Sequence, residues 1–504
     1  MRTFRISALL LTAGLVVASG CKDDLLDKVE PNAPSTAIFW KTQDDAIKGV
    51  TAAYSGLQFD ATYSLMWHFA TVARSDEAYS ISPYAELASY TRFIQTNTMF
   101  EYTFNMWYDF HRTIFRCNQV IAYVPTINMD ETLRKRVVAE ARFIRAQIYY
   151  DLSLLYGNLP LALVPSEPNL RFPQVGPLEV QAQVILDLQA AKADLPLTYD
   201  ANNKGRVTRG AATALLGKVF LQQRRWAEAS TQFAEIVRDN QYSLVPNYVD
   251  NFTAENENNS ESVFEVQFSG INTNNDGGQD NTQASEGNRR AQWWAPPGVG
   301  FSDVQPHRWV YNEYNDRTTT GQPDPRREIT LFNPLTPVYG QPFGAGGRNL
   351  NPTALWWRKY ANDRTRTFEN WHSPINIRLI RYADVLLMYA EALNEQGQTA
   401  AAVPFINQVR TRATLTPLVA GAFTQATLKT QLRHERVTEL AGEGHRWADL
   451  LRYGLLDNQT GIDELKTRDP DFNNFDLREG KSKLLPIPLR DLQTDPNLRQ
   501  NPGY

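Results

Sequence analysis

The sequence predicts a mainly α protein: a scaffold of helical hairpins carrying one large loop-rich excursion with few short strands. Three observations predict it. Apolar residues recur at spacings of three and four in three separate stretches, as amphipathic helices require. Alanine and glycine recur where paired helices would touch. A long segment, residues 252–374, loses this periodicity and turns rich in Asn, Gly and Pro.

The first element is a leader. Arg2 and Arg5 precede an apolar run from Ile6 to Val17. A membrane-spanning helix needs roughly 20 apolar residues, so this run is too short to span. A basic start, a short apolar run and small residues before a cut site make a secretory signal. Residues 1–20 are therefore expected to be a signal peptide. Its small residues Ala18, Ser19 and Gly20 lead to Cys21, an arrangement that resembles a bacterial lipobox, with Ala18 where Leu is commoner. Cys21 is the expected lipid attachment point. Lys22, Asp23 and Asp24 follow at once and resemble a surface-export signal found in one group of Gram-negative bacteria. Residues 21–40, with Pro31, Asn32 and Pro34, are expected to be a lipidated N-terminal tether. The chain has 2 cysteines, so lipidation of Cys21 leaves Cys117 without a disulfide partner. Cys117 lies in a helical pattern and reads as an inert buried thiol.

Residues 41–251 form the first helical part. In "AEARFIRAQIYYDLSLLYGNLPL" the stripe is Ile144, Ile148, Leu152 and Leu155, closed by Gly157 and Pro160. From Leu215 to Val237 the pattern reads as a tetratricopeptide-type hairpin, with Leu216, Gly217, Phe220, Ala229 and Phe233 at the packing offsets. Residues 252–374 are the loop-rich excursion, expected to be the ligand-facing region because long loops on a rigid scaffold usually carry function. One strand is expected in it, Ser262 to Phe268, where alternate residues are apolar. Residues 375–504 return to helix: Ala383, Leu386, Leu387, Ala390 and Leu393 make a stripe that Gly397 closes.

Composition and motifs narrow the function. The net charge is −4 with both signs interspersed, so no basic stripe invites nucleic acid. Aromatic residues make up 11% of the chain, enough to build stacking surfaces for sugars. "HERVTELAGEGH" fails as a zinc-protease helix, because Thr438 stands where the second histidine must be and His445 is out of step. Glu439 and Glu443 could share a helix face and serve a glycosidase. The interleaved Arg433, Arg436, Arg446 and Arg452 instead favour structural ion pairs. The sequence contains no Gly-rich phosphate loop, nucleophile elbow or cysteine–metal cluster.

Several motifs together resemble the SusD/RagB family of outer-membrane nutrient-binding lipoproteins: the stretch beginning "AEARF" at Ala139, "LIRYADVLLMYAEALNE", "ERVTELAGEGHRWADLLRYG", "LLPIPLRDLQTDPNLRQNPGY" and "PDPRR" at Pro323–Arg327. The resemblance runs from residue 21 to Tyr504 and is loosest in the excursion. It implies a lipid-anchored protein of a Gram-negative outer membrane, facing the cell exterior and seated on a SusC-type TonB-dependent barrel. It also implies an oligosaccharide ligand (or a peptide, as in the RagB branch), no catalysis and no cofactor, and no metal is expected. Trp293 and Trp294, with Tyr79 and Tyr84 and flanked by Asp76, are expected to form a solvent-facing aromatic platform. Trp and Tyr suit that role because their two side-chain torsions cost little entropy to fix. The next candidates are Trp309, Tyr311, Tyr314 and the Trp356–Trp357 pair. Two other readings stand beside this one: a tetratricopeptide-type interaction lipoprotein, and a surface glycan-cleaving enzyme.

Overall fold

The computed structural model describes residues 39–94, 101–167, 170–270, 286–345, 350–351 and 353–504. Cys21, Lys22, Asp23 and Asp24 lie outside them. Helix dominates, as the periodicity predicts. The longer helices are α1 (Gln43–Ser55), α2 (Ala85–Arg92), α3 (Glu101–Tyr123), α4 (Glu131–Leu155), α5 (Pro177–Asp194), α6 (Arg209–Gln222) and α7 (Trp226–Asp239). After the excursion come α8 (Tyr382–Glu395), α9 (Thr399–Arg412), α10 (Gln425–Leu440), α11 (Arg446–Tyr453) and α12 (Gln459–Arg468). Local chemistry sets their starts. Thr42 and Asp45 close a capping box on α1, while Asp130 and Thr208 cap α4 and α6 by accepting from the first free N–H groups. Among the described residues no helix is long and apolar enough to cross a membrane.

The helices pack mostly against their neighbours in sequence: α3 on α4, α4 on α5, α5 on α6, α6 on α7, and α8 on α9. Helix α7 then meets α8, and α8 meets α10, which joins the two helical parts. This is how stacked helical hairpins bury a continuous core. Gly217 shows why small residues are needed in it. A Cβ there would stand 2.5 Å from the ring of Phe233 on α7. The stripe residues Ile144, Ile148 and Leu152 of α4 and Leu386, Leu387 and Ala390 of α8 are all fully buried. Cys117 is buried too, and burial pushes its thiol up to about 12, so it is not a reactive group.

The strands are short and pair across large sequence distances. β1 (Ala78–Ser80) pairs with β5 (Val304–Pro306), placing Tyr79 opposite Gln305. β2 (Leu159–Pro160) pairs with β3 (Gln174–Val175), and β6 (Leu331–Phe332) with β7 (Trp356–Trp357). β4 (Ser262–Val266) forms inside the expected strand and ends two residues early. Its partner is β8 (Ile377–Arg381), so this pair ties the two ends of the excursion together. One apolar core runs from Ala46 to Leu498 and includes excursion residues such as Trp293 and Trp357. A small satellite core around Ala295, Phe332, Tyr339 and Trp356 supports the loops. The terminal motif is bound into this body. Leu485 N–H donates to Leu155 O (2.7 Å), Asn501 Nδ2 to Tyr156 O (2.7 Å), and Arg74 Nη2 to Ser482 O (2.8 Å).

Candidate functional site

The charged motif of α10 and the loop after it is structural. Arg381, at the end of β8, lies between three carboxylates. Its Nε is 2.7 Å from Glu443 Oε2, its Nη1 is 3.0 Å from Glu439 Oε1, and it also pairs with Glu261. Lys359 Nζ donates to Glu443 Oε1 (2.8 Å), and Arg326 Nη1 to Glu439 Oε2 (3.2 Å). Burial alone would raise Glu439, but Arg412, Arg381 and Arg326 hold its carboxyl at about 2. Burial likewise opposes, and Arg381 and Lys359 overcome, to hold Glu443 at about 2. A glycosidase needs one carboxyl kept protonated and both within reach of a sugar. These two are ionised, enclosed and fully paired. They are not an acid–nucleophile pair.

His434 is accounted for in the same way. Its Nδ1 lies 2.9 Å from Glu313 and its Nε2 3.0 Å from Asp316. Burial would lower its pKa, yet the bonds to Asp316 and Glu313 lift it to about 9, so both nitrogens carry protons. Arg410 also binds Asp316 (2.7 Å) and Glu435. Two cationic side chains already fill that cluster.

The expected platform residues divide sharply. Trp293 and Trp294 lie on a single-turn helix, Arg290–Trp294, and are 5% and 2% exposed. The expectation that both face solvent is corrected: the turn points them into the core. Trp294 packs against the guanidinium of Arg290 (4.3 Å), Trp357 and His68. Asp76 is also buried, contrary to expectation. Arg446 grips its carboxylate at 2.6 and 2.7 Å and Arg468 binds it as well; although burial opposes, these arginines hold it at about 2. Tyr79 is half-buried on β1, its hydroxyl donating to Gln305 Oε1 (2.8 Å). Tyr84 is exposed. Of the second-choice aromatics, Tyr314, Trp356 and Trp357 are buried, while Trp309 and Tyr311 are half-buried.

Trp293 nevertheless marks a surface feature. Its ring is the hub of a cluster: Tyr84 at 5.6 Å, Phe301 at 5.6 Å and Trp371 at 6.2 Å, with Phe301 and Trp371 5.3 Å apart. Tyr84 is 57% exposed and Phe301 46%, and Trp371 is half-buried. Three loops bring them together. Ser82 Oγ accepts from the Tyr84 N–H (3.1 Å) where α2 begins. Phe301 N–H donates to Gln292 O (2.8 Å), folding the Pro-Gly-rich turn back onto the Trp293 helix. Trp371 is set by its neighbours: Asn370 Oδ1 accepts from His372 N–H (3.0 Å), and Ser373 exchanges backbone bonds with Asn288.

Polar groups surround these rings. The Arg289 guanidinium lies 5.4 Å over Trp371 and pairs with Asp60 at 2.5 Å. Burial pushes the Asp303 carboxyl above its usual range, with a bond from Ser82 working against it. Gln292 Oε1 and Trp293 Nε1 are buried with no hydrogen-bond partner among the described residues. An exposed aromatic arc can stack the C–H face of a sugar ring, while the neighbouring Ser82, Asp303 and Arg289 are buried. Phe301 and Trp371 were missed in the sequence because each sits alone in a loop. The one available signal was an aromatic beside turn residues, Gly300-Phe301 and Trp371-His372-Ser373-Pro374.

Concavities among the described residues lie away from this arc. A cleft of about 350 Å³ is bordered by Trp107, Tyr108, His111, Arg171 and Asp491. A groove of about 290 Å³ runs between Tyr54, Arg206 and Gln267.

Comparison with known proteins adds independent information. Residues 260–504 match the sequence model of the SusD family, and residues 25–221 match the one described as starch-binding associating with outer membrane. SusD-like protein P2 of Formosa agariphila is 27% identical over an alignment covering 100% of both chains. Among solved structures, a SusD superfamily protein of Bacteroides vulgatus superposes with a TM-score of 0.80 at 27% identity, covering 92% of this chain and 100% of that one. A laminarin-binding SusD-like protein superposes with a TM-score of 0.75 at 28% identity over the same shares.

Proposed function

Because the chain belongs to the SusD family, we propose that it is a surface glycan-binding lipoprotein that captures an oligosaccharide on the Tyr84–Phe301–Trp371 arc. It then hands the ligand to a SusC-type TonB-dependent barrel. The arc, braced from beneath by Trp293, is the single observation that carries this reading. Trp293 contributes as the support of the platform rather than its surface, and Tyr79 and Trp294 contribute only through the loops they hold. The laminarin-binding relative supports a β-glucan among the ligands worth testing first. In this account Cys21 carries the anchor, Lys22, Asp23 and Asp24 direct export to the cell exterior, and the chain performs no catalysis.

The test is a titration of laminari-, malto- and xylo-oligosaccharides by calorimetry into the mature protein, then into Tyr84→Ala and Trp371→Ala. Removing one stacking ring costs on the order of 1–3 kcal/mol, roughly five- to 150-fold in affinity. The expected result is binding of one glycan class, weakened in both variants with unchanged melting. Wild-type affinity in both variants would place the ligand elsewhere.

A further inference from the structure

We propose that His307, Asp469 and Asp471 bind a divalent first-row transition cation, which fastens the C-terminal segment to the β1–β5 ribbon. The argument starts from His307. It follows β5, is 1% exposed, and is wedged among Tyr79 (5.0 Å), Phe472 (4.9 Å) and Phe475 (6.0 Å). Among the described residues its Nε2 has no hydrogen-bond partner, and its Nδ1 faces only the Asp469 carboxylate. A buried polar group left so is uncommon and destabilising.

Its Nδ1 points to Asp469, 3.2 Å from Oδ2 but not aligned as a donor. Two ligands held about 2.1 Å from one cation lie about 3.0–3.4 Å apart, so this is the spacing of neighbouring ligands. The third ligand comes from Asp471, and the three candidate atoms all lie within 4.8 Å of one another. Asp469 is oriented from behind, because its Oδ1 accepts the Asp471 N–H at 3.0 Å. Unlike the His434 cluster, neither carboxylate forms an ion pair with Lys or Arg among the described residues. His307 is the one ion-pair partner of Asp469 among the described residues. One imidazole and two carboxylates suit Zn²⁺ or Mn²⁺, with water completing the shell through the exposed Asp471 side. The position matters because β1–β5 continues into Ser82, Tyr84 and Asp303, the base of the aromatic arc. The proposal does not depend on what that arc binds.

The mature protein is treated with EDTA, dialysed, and titrated with ZnCl₂ and separately MnCl₂, with bound metal counted by elemental analysis. The expected result is one ion per chain for at least one of the two metals. Asp471→Asn, an exposed change that leaves the core untouched, weakens binding tenfold or more without altering the melting of the metal-free protein. His307→Gln does the same to affinity. The ion raises the melting temperature of the wild type and not of Asp471→Asn. Binding of neither metal overturns the proposal. So does equal binding by wild type and Asp471→Asn, which would mark an adventitious surface ion.

Discussion

Trp293 shows how far a single residue can be read. Its chemistry in the sequence, a tryptophan beside Pro-Gly turn residues, pointed to the aromatic surface, but its orientation did not follow from that. A one-turn helix turned it inward, and the ring became the support for Tyr84, Phe301 and Trp371. Asp76 failed as a ligand residue for a different reason. Its partners Arg446 and Arg468 are distant in sequence, so nothing local revealed that its charge was already used. The buried carboxylates also set the pH response. Asp76, Glu439 and Glu443 are held at about 2 in the folded chain by their arginines against burial. Unfolded, they titrate near 4. A depressed folded pKa gives stability that is present above about 4.5 and lost as pH falls toward 2. Each such group contributes a slope approaching roughly 1.4 kcal/mol per pH unit in that window. His445, held at about 4 by burial and Lys218, acts in the same direction but at higher pH, between its unfolded value near 6.5 and about 4. The urea midpoint is expected to fall most steeply between pH 4 and 2.5, where the three carboxylates titrate together. A midpoint at pH 3 equal to that at pH 5 would show that these ion pairs do not form.

Among the elements, helices were legible and loops were not. Stripes such as Ile144–Leu155 and Ala383–Leu393 fix a helix because burial along one face demands their spacing, wherever the partner comes from. The ends followed equally well: Gly157 and Gly397 both adopt positive φ, as glycine past a helix end should. The Gly217–Phe233 contact is the sharpest case, since an offset in the sequence became a close approach between α6 and α7. Gly217→Leu is expected to force these helices apart and cost about 1–3 kcal/mol. A melting curve unchanged from wild type would mean that the hairpin is not packed there. Strands were harder. β4 was visible by alternation, but β1, β5, β6 and β7 are two or three residues long and exist only because distant partners meet. The candidate cation site is of the same kind, made of residues that only the tertiary fold brings together.

For the whole molecule, the chain from Ala46 to Leu498 shares one core, and the terminal "LLPIPLRDL" and "QNPGY" segments pack on the end of α4. Those motifs carried the family resemblance, and their role is structural closure, which is why they could be read without knowing the ligand. The location of the protein rests on residues outside this body. Cys21→Ala is expected to release the protein from the membrane fraction, and mass spectrometry of the native protein should find lipid on Cys21. Mild detergent extraction should recover it with a barrel-sized partner in near-equal amount, through a contact burying well over about 1,200 Å². Recovery of the chain alone across several detergents would count against a standing transporter complex. The central claim is that glycan is held on the aromatic arc, and its most direct measurement is a crystal structure of the mature protein with the oligosaccharide that binds tightest in solution. The account predicts sugar rings stacked on Tyr84, Phe301 and Trp371. Sugar density in the cleft beside Trp107 and Tyr108, with the arc left bare, would contradict it.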